Sequence, residues 1–215
     1  MIITIDGPAG AGKSTVARAL ARRLGFRYLD TGAMYRAVAL AGLRRGVDWG
    51  HPDKLAELAR QLDLRLSGEQ IYLGHEDVTA AVRSSEVTAV TRYVADNPQV
   101  REHLATLQRA AAAGADIVTE GRDQGTVVFP EAACKIFLTA EAAERARRRL
   151  ADLRARGESA TLDEVLARQE RRDREDAARP VGPLLRAPDA VEVASDGLSV
   201  DEVVERIVAL AATAR

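Results

Sequence analysis

The sequence contains a single cysteine, Cys134, and no long apolar run. One cysteine excludes an internal disulfide. No apolar stretch approaches the roughly 18 residues of a membrane-spanning helix. The first residues also lack the basic and apolar segments of a signal peptide. These features predict a cytoplasmic protein that has no membrane partner.

Neither sign of charge is in excess, since 31 basic residues face 32 acidic ones and the net charge is −1. This balance argues against a nucleic-acid partner, so any phosphate chemistry must come from local clusters of charge. Lysine is scarce: the basic residues comprise 28 arginines and three lysines (Lys13, Lys54 and Lys135). The three histidines show no metal-ligand spacing with the cysteine.

The chain opens with a β-branched strand at 2–5, a glycine-rich turn and a helix at 13–24 with apolar residues at helical spacing. Strands and helices continue to alternate later in the chain. This alternation predicts an α/β fold in which helices flank a parallel sheet. The later strands are expected at 117–120, 135–139 and 190–194, and the later helices at 141–156 and 199–214.

One stretch interrupts the alternation. Residues 62–67 and 70–74 alternate apolar and polar side chains around Gly68 and Glu69, which predicts an antiparallel hairpin. Helical segments are expected next, at 78–95 and 100–113. The pattern indicates one domain with a core at about 1–60 and 114–215 and an inserted subdomain at about 60–113. An alternative interpretation is that this segment is a surface insertion without a function.

The segment that follows the first strand matches the phosphate-binding pattern G-x-x-x-x-G-K-[ST] without a mismatch. Its glycines let the backbone wrap around an anion at the start of the next helix, Lys13 can reach the β and γ phosphates, and Ser14 can ligate Mg²⁺. The motif predicts binding of a nucleoside triphosphate. The candidate nucleotide-binding residues are Gly7, Pro8, Ala9, Gly10, Ala11, Gly12, Lys13, Ser14 and Thr15.

A phosphate-binding loop does not by itself assign a function, because kinases, switches and motors share it. A GTPase switch normally contains N-K-x-D, yet the single asparagine here, Asn97, precedes a proline, and no D-x-x-G occurs. Glu120 ends a predicted strand, where it could anchor water bound to Mg²⁺ or merely begin a loop. A small-molecule kinase therefore fits better than a GTPase.

Such a kinase needs cations that converge on two phosphorylated substrates. Candidate arginines stand near the ends of predicted elements, and each could instead be a solvated surface residue. The loop position after a predicted strand favours a functional role for Arg122. The candidates are Arg36, Arg122, Arg172, Arg174 and Arg179.

Taken together, the motifs resemble those of the bacterial cytidylate (CMP/dCMP) kinases, which are P-loop nucleoside monophosphate kinases. The resemblance runs over nearly the whole chain. Its segments are ITIDGPAGAGKST at 3–15, LDTGAMYRAVAL at 29–40, GHEDVT at 74–79, VRSSEV at 82–87, NPQVREHL at 97–104, TEGRDQGTVVFPEA at 119–132, KIFLTA at 135–140 and RRDREDAARPVGPL at 171–184.

The resemblance implies a three-layer P-loop fold, a nucleoside-monophosphate-binding insertion with antiparallel strands, and a lid within about 149–180. It implies a monomer that uses ATP with Mg²⁺ at Ser14 and phosphorylates CMP or dCMP. The implied catalytic residues are Lys13, Arg122 and Arg179. The implied substrate-binding residues are Thr31, Arg36, Arg101, Arg122, Asp123, Arg172, Asp176 and Arg179. The arginines similar to those of the family lid are Arg145, Arg147, Arg148, Arg149, Arg154 and Arg156.

The chain departs from the family pattern at two positions. Arg92 follows Thr91 where many members have a serine that touches cytosine, and Glu120 stands where aspartate is usual. Alternative functions are a UMP or AMP kinase, a P-loop kinase for a small hydroxylated metabolite, or a module that binds ATP without turnover. The segment 172–179 argues against the last, since a switch needs no second nucleotide site.

Overall fold

The computed structural model describes residues 1–155 and 157–214 of the chain. The strands are β1 (Ile2–Asp6), β2 (Arg27–Asp30), β3 (Leu64–Ser67), β4 (Gln70–Leu73), β5 (Glu76–Asp77), β6 (Ile117–Gly121), β7 (Cys134–Thr139) and β8 (Val191–Ala194). The helices are α1 (Lys13–Leu24), α2 (Thr31–Arg44), α3 (Pro52–Gln61), α4 (Ser85–Ala95), α5 (Pro98–Ala112), α6 (Ala142–Ala155), α7 (Leu162–Ala177) and α8 (Val200–Thr213).

The fold comprises two compact units. Unit 1 consists of Met1–Phe26 together with the described residues from Asp116 onward, and unit 2 is Arg27–Ala115. Among the described residues, no helix combines the length and the apolar character needed to cross a membrane.

Unit 1 is built on parallel strands in the order β6–β1–β7–β8. Ile3 and Ile5 of the central strand β1 are fully buried, and so is Thr4 between them. A strand that is covered on both faces has no solvent side, which explains why consecutive side chains of β1 are buried rather than every second one. Helices α1 and α8 pack on each other, and α1 packs on β6. The predicted parallel sheet flanked by helices is confirmed.

Local signals set the helix ends in unit 1. Helix α1 lies between Gly12 and Gly25, which both adopt the left-handed conformation with φ of 90° and 70°. Capping boxes start α7 at Thr161 and α8 at Ser199, where the cap hydroxyl accepts from the third residue of the helix. Because Ser199 is a cap, α8 begins one residue later than predicted.

The core of unit 2 forms around α2, which is buried along most of its length by packing against α3, α4 and α5. The predicted hairpin is present: Ser67 pairs with Gln70 across a two-residue turn in which Gly68 has a φ of 60°. A short third strand, β5, pairs with β4 and was not predicted.

The helix predicted at 78–95 is wrong at its start. Helix α4 begins at Ser85, because the Ser84 side chain accepts a hydrogen bond from the Val87 amide and caps it. The residues before it contain a 3₁₀ turn, Ala81–Arg83. Helix α5 begins earlier than predicted because Asn97 caps it. The last residue of the helix predicted at 141–156, Arg156, lies outside the described residues.

Gly7 offers a test of how tightly the first loop packs on the sheet. A Cβ atom at Gly7 would lie 2.1 Å from the carbonyl oxygen of Leu138 in β7, whereas one at Gly25 would meet nothing within 4 Å. Both glycines have positive φ, so alanine is strained at either position. We expect Gly7→Ala to lower the free energy of unfolding by about 3 kcal/mol and Gly25→Ala by about 1 kcal/mol. Urea unfolding measures both, and equal losses would contradict the close packing at Gly7.

Candidate active site

The loop between β1 and α1 is shaped to hold an anion. Gly7, Gly10 and Gly12 all have positive φ, at 149°, 79° and 90°. Among the residues that the structure describes, no side chain caps the N-terminus of α1, so its first amide groups can bind a ligand. The positive end of the helix dipole and the backbone N–H groups together favour a phosphate at this place.

Lys13 is the buried cation of this loop, with 5% of its surface exposed. Its Nζ donates to the Pro8 carbonyl oxygen at 2.7 Å. Burial, and next the charge of Arg122, lower the pKa of Lys13 from 10.5 to about 7, although Glu120 and Asp6 oppose this. The ammonium is therefore incompletely compensated by the protein, and an anionic ligand would raise its pKa again.

Ser14 and Glu120 place two hard oxygen ligands side by side. The Ser14 hydroxyl donates to Oε1 of Glu120 at 2.8 Å, and Glu120 lies buried in β6. The described residues hold no group of three or more His, Cys, Asp or Glu side chains that could bind a metal by themselves. Mg²⁺ typically takes one or two protein oxygens and completes its shell with water and phosphate. This donor pair fits such an ion.

Asp6, the last residue of β1, fixes the loop that follows β6. Its two carboxylate oxygens accept hydrogen bonds from the backbone amides of Gln124 and Gly125, at 2.9 and 2.7 Å. Burial raises the pKa of Asp6 to about 6, against the effect of these two bonds. This role of Asp6 was not predicted from the sequence. The available signal was a carboxylate ending a buried strand directly before the phosphate-binding loop.

Three residues predicted from sequence form one buried ionic cluster. Asp176 accepts from Nε of Arg122 at 2.7 Å and from Nη2 of Arg179 at 2.6 Å. Burial alone would raise the pKa of Asp176, but the charges of Arg122, Arg172 and Arg179 outweigh it and hold that pKa below its usual value. The charges of Arg122 and Arg172 also lower the pKa of Lys13. These two arginines and the loop lysine therefore lie close enough within unit 1 to interact electrostatically.

Asp123, the residue after Arg122, is also buried, with 5% of its surface exposed. It directly precedes a π-helical turn, Gln124–Val128, whose first two amides bind Asp6. The backbone around Asp123 is thus fixed by a contact that does not involve its own side chain.

Thr31, Arg36 and Arg101 belong to unit 2. Thr31 is the buried first residue of α2, and the Asp30 carboxylate before it caps that helix. Asp30 also lies 3.5 Å from Arg36, whose buried Nε has no hydrogen-bond partner among the described residues. Arg101 donates to the Ala95 carbonyl oxygen. An unpaired guanidinium N–H is costly when buried, so the Nε of Arg36 is a candidate donor for a ligand.

The arginines similar to those of a lid differ in their surroundings. Arg145 is buried, and Arg148 donates to the Ser195 carbonyl and hydroxyl oxygens. Arg147 is exposed and pairs with Glu144. Arg156 lies outside the described residues. In unit 2, Arg92 lies over the ring of Tyr93, 4.8 Å from its centroid.

The depressed pKa of Lys13 predicts a pH dependence of stability. The unfolded chain, with a lysine pKa near 10.5, binds more protons than the folded one between about pH 7 and pH 10, so the Lys13 contribution to stability rises with pH. Relative to Lys13→Met, the wild type should gain about 2 kcal/mol from pH 7 to pH 9. Urea unfolding of both proteins at both pH values measures this. A constant difference would show that Lys13 is not desolvated.

Nearly the whole length of the chain matches known proteins. The family profile described as cytidylate kinase matches residues 3–213. A cytidylate kinase from Rhodopirellula baltica is 52% identical over 98% of this chain and 92% of its own length. A bifunctional pantoate ligase/cytidylate kinase from Synechococcus elongatus is 49% identical over 97% of this chain, which spans 41% of that longer relative.

Solved structures agree on the fold. The crystal structure of shikimate kinase from Bacteroides thetaiotaomicron has a TM-score of 0.52 and 15% identity, covering 98% of this chain and 97% of the other. At that identity the likeness shows the fold alone. The family match extends over both units and includes the phosphate-binding loop, and it confirms the resemblance found in the sequence. The chain belongs to the cytidylate kinase family.

Proposed function

We propose that the protein is a cytidylate kinase that transfers the γ-phosphoryl group of ATP to CMP or dCMP, giving CDP or dCDP. The observation that carries this proposal is the buried cluster of Arg122, Asp176 and Arg179 beside the loop lysine. A protein that only binds and senses ATP has no need of cations for a second phosphate. The family membership supplies the identity of the acceptor.

On the donor side, the residues of the loop, Gly7 to Thr15, hold the ATP phosphates through their amides and through Lys13. Ser14, with Glu120 hydrogen-bonded to it, would hold Mg²⁺, and this ion would supply charge neutralisation on the phosphate oxygens. The Lys13 ammonium then lies against an anion instead of the Pro8 carbonyl. The bound triphosphate completes the compensation of the Lys13 charge, which Glu120 and Asp6 provide only in part.

On the acceptor side, arginines and carboxylates have different roles. Arg122 and Arg172 of unit 1 bind the phosphate of CMP, since a planar guanidinium can bond two phosphate oxygens at once. Arg36 is also proposed to bind the acceptor. Asp123 accepts from the 4-amino group of cytosine and repels the O4 of uracil. The remaining residues proposed to bind the acceptor are Thr31, Arg101, Asp176 and Arg179.

The transfer itself needs no general base. The second pKa of a phosphate monoester is near 6, so at neutral pH the acceptor oxygen already carries the charge with which it attacks. The bond from this oxygen to the γ-phosphorus forms as the bond to the β–γ bridging oxygen breaks, and ADP leaves with that electron pair. Lys13, Arg122 and Arg179 stabilise the charge on the transferred group.

We also propose that residues at about 60–113 bind the nucleoside monophosphate and that those at about 149–180 act as a lid that excludes water. The free thiol Cys134 fits a reducing cytoplasm. A monomer that serves pyrimidine nucleotide metabolism in the cytoplasm is consistent with these proposals.

A coupled assay of ADP release tests the acceptor. CMP and dCMP should be preferred over UMP, AMP and shikimate, and Lys13→Met should lower turnover by about 10²-fold or more because it removes a cation from the transferred group. A preference for UMP or AMP would identify a different monophosphate kinase. ATP binding without acceptor-dependent ADP release would identify a non-catalytic module.

The proposed role of Asp123 predicts a change in base selectivity. Asp123→Asn removes the repulsion against uracil O4 and weakens the bond to the cytosine amino group, so the ratio of kcat/KM for CMP over UMP should fall about tenfold or more. Asp152→Asn, on the exposed surface of α6, is the matched control and should leave the ratio unchanged. An unchanged ratio in Asp123→Asn would remove this residue from base recognition.

A further inference from the structure

A carboxylate on helix α7 binds the backbone of the phosphate-binding loop. Oδ1 of Asp173 accepts a hydrogen bond from the Ala9 amide at 3.0 Å, although 164 residues separate the two in sequence. Asp173 is largely buried, with 18% of its side chain exposed. It lies next to Arg172, yet it was not among the residues predicted from sequence to form the site.

The same backbone unit is also held from α6. Nη1 of Arg145 donates to the Ala9 carbonyl oxygen at 2.8 Å and to Oδ2 of Asp173 at 2.5 Å. Arg145 also donates through Nε to the Ala140 carbonyl oxygen, which fixes the guanidinium plane. Both polar backbone groups of Ala9 are therefore bound by a buried ion pair that joins two helices. We refer to Asp173, Arg145 and the Ala9 backbone as the loop clasp.

The loop clasp binds the middle of a loop that is rich in glycine. Ala9 lies between Gly7 and Gly10, which both have positive φ, and glycine loses more conformational freedom on ordering than any other residue. A loop with three such glycines would sample many conformations if it were held only at its ends. Hydrogen bonds to its middle residue select one of them before any ligand arrives, which lowers the entropic cost of binding.

Helix α7 also approaches the loop at the next residue. A Cβ atom at Gly10 would lie 2.5 Å from Nε2 of Gln169 and 3.2 Å from Cβ of Arg145. Gln169, one turn before Asp173, donates to the Arg145 carbonyl oxygen. The clasp is therefore part of a close contact between the loop and both helices, and the φ of 79° at Gly10 favours glycine there.

Three residues beyond Asp173, on the next turn of α7, Asp176 binds Arg122. Side chains three positions apart lie on the same face of a helix. One face of α7 thus contacts the phosphate-binding loop through Asp173 and the proposed acceptor arginine through Asp176.

We propose that Asp173 is a positioning residue, which acts through the Ala9 backbone and Arg145 to preorganise the phosphate-binding loop for ATP. The inference rests on the proposed function, since it concerns the same donor site. It assigns to Asp173 a role in ATP affinity without contact between its carboxylate and the nucleotide. The acceptor contacts of α7 depend on Asp176 and are retained when Asp173 is replaced.

Calorimetry with ATP, and separately with CMP, tests this role. Asp173→Ala removes the acceptor for the Ala9 amide and the partner of Arg145, so the Kd for ATP should rise about tenfold or more. Asp173→Asn keeps an amide oxygen for Ala9 but loses the ion pair, and should show an intermediate rise of about threefold or more. The Kd for CMP should change by less than about twofold in both variants.

Asp201→Asn is the control, because it removes one negative charge from the exposed surface of α8, outside the proposed lid. Its Kd for ATP should equal that of the wild type. An unchanged Kd for ATP in Asp173→Asn would overturn the proposal, and this variant decides the question if Asp173→Ala does not fold. Equal weakening of ATP and CMP binding would also overturn it, because that result indicates a general loss of structure.

The outcome is separable from that of the proposed function. If the wild type binds ATP but shows no CMP-dependent ADP release, the acceptor is wrong, while the comparison of Kd values for ATP still tests Asp173. If the wild type releases ADP with CMP and the Asp173 variants bind ATP normally, the positioning role alone is refuted.

Discussion

The cost of burying positive charge is the constraint on which the site depends. Lys13 lies at 5% exposure with its pKa lowered to about 7, and the charges of Arg122 and Arg172 in the same unit contribute to that shift. Arg122 and Arg179 are themselves held close together by Asp176. Cations removed from water without compensation destabilise a fold, so each needs a partner. Asp176 is the partner of both arginines, whereas Lys13 has a neutral carbonyl oxygen. The incompletely compensated positive charge of Lys13 is the electrostatic complement of a phosphate.

The loop must also be ordered, although its glycines favour disorder. Glycine is required at position 7 because a Cβ atom there would lie 2.1 Å from the carbonyl oxygen of Leu138. The loop also needs residues with positive φ to turn its amides inward, and glycine adopts that conformation most readily. Carboxylates supply the missing order: Asp6 binds the loop after β6, and Asp173 binds Ala9. Segments proposed to contact a ligand are thus bound by carboxylates from other elements.

Much of the fold could be predicted because its signals are local. The β-branched run, the glycines and the spacing of apolar residues located β1 and α1, and the alternating pattern located the hairpin of β3 and β4. The start of α4 was misplaced because Val78 and Val82 extend the helical pattern backwards, while the cap at Ser84 interrupts it. The motif likewise located Lys13 and Ser14, since their roles follow from position within a short segment.

The sequence by itself determined the α/β class, the phosphate-binding loop and the family, because each depends on residue types at fixed short spacings. Only the tertiary structure decided which of 28 arginines are buried against carboxylates and which carboxylates hold the loops. Asp173 reaches Ala9 across 164 residues, and Asp6 reaches Gln124 across 118. A contact of that kind depends on how strands and helices pack, and no local pattern of side chains encodes it.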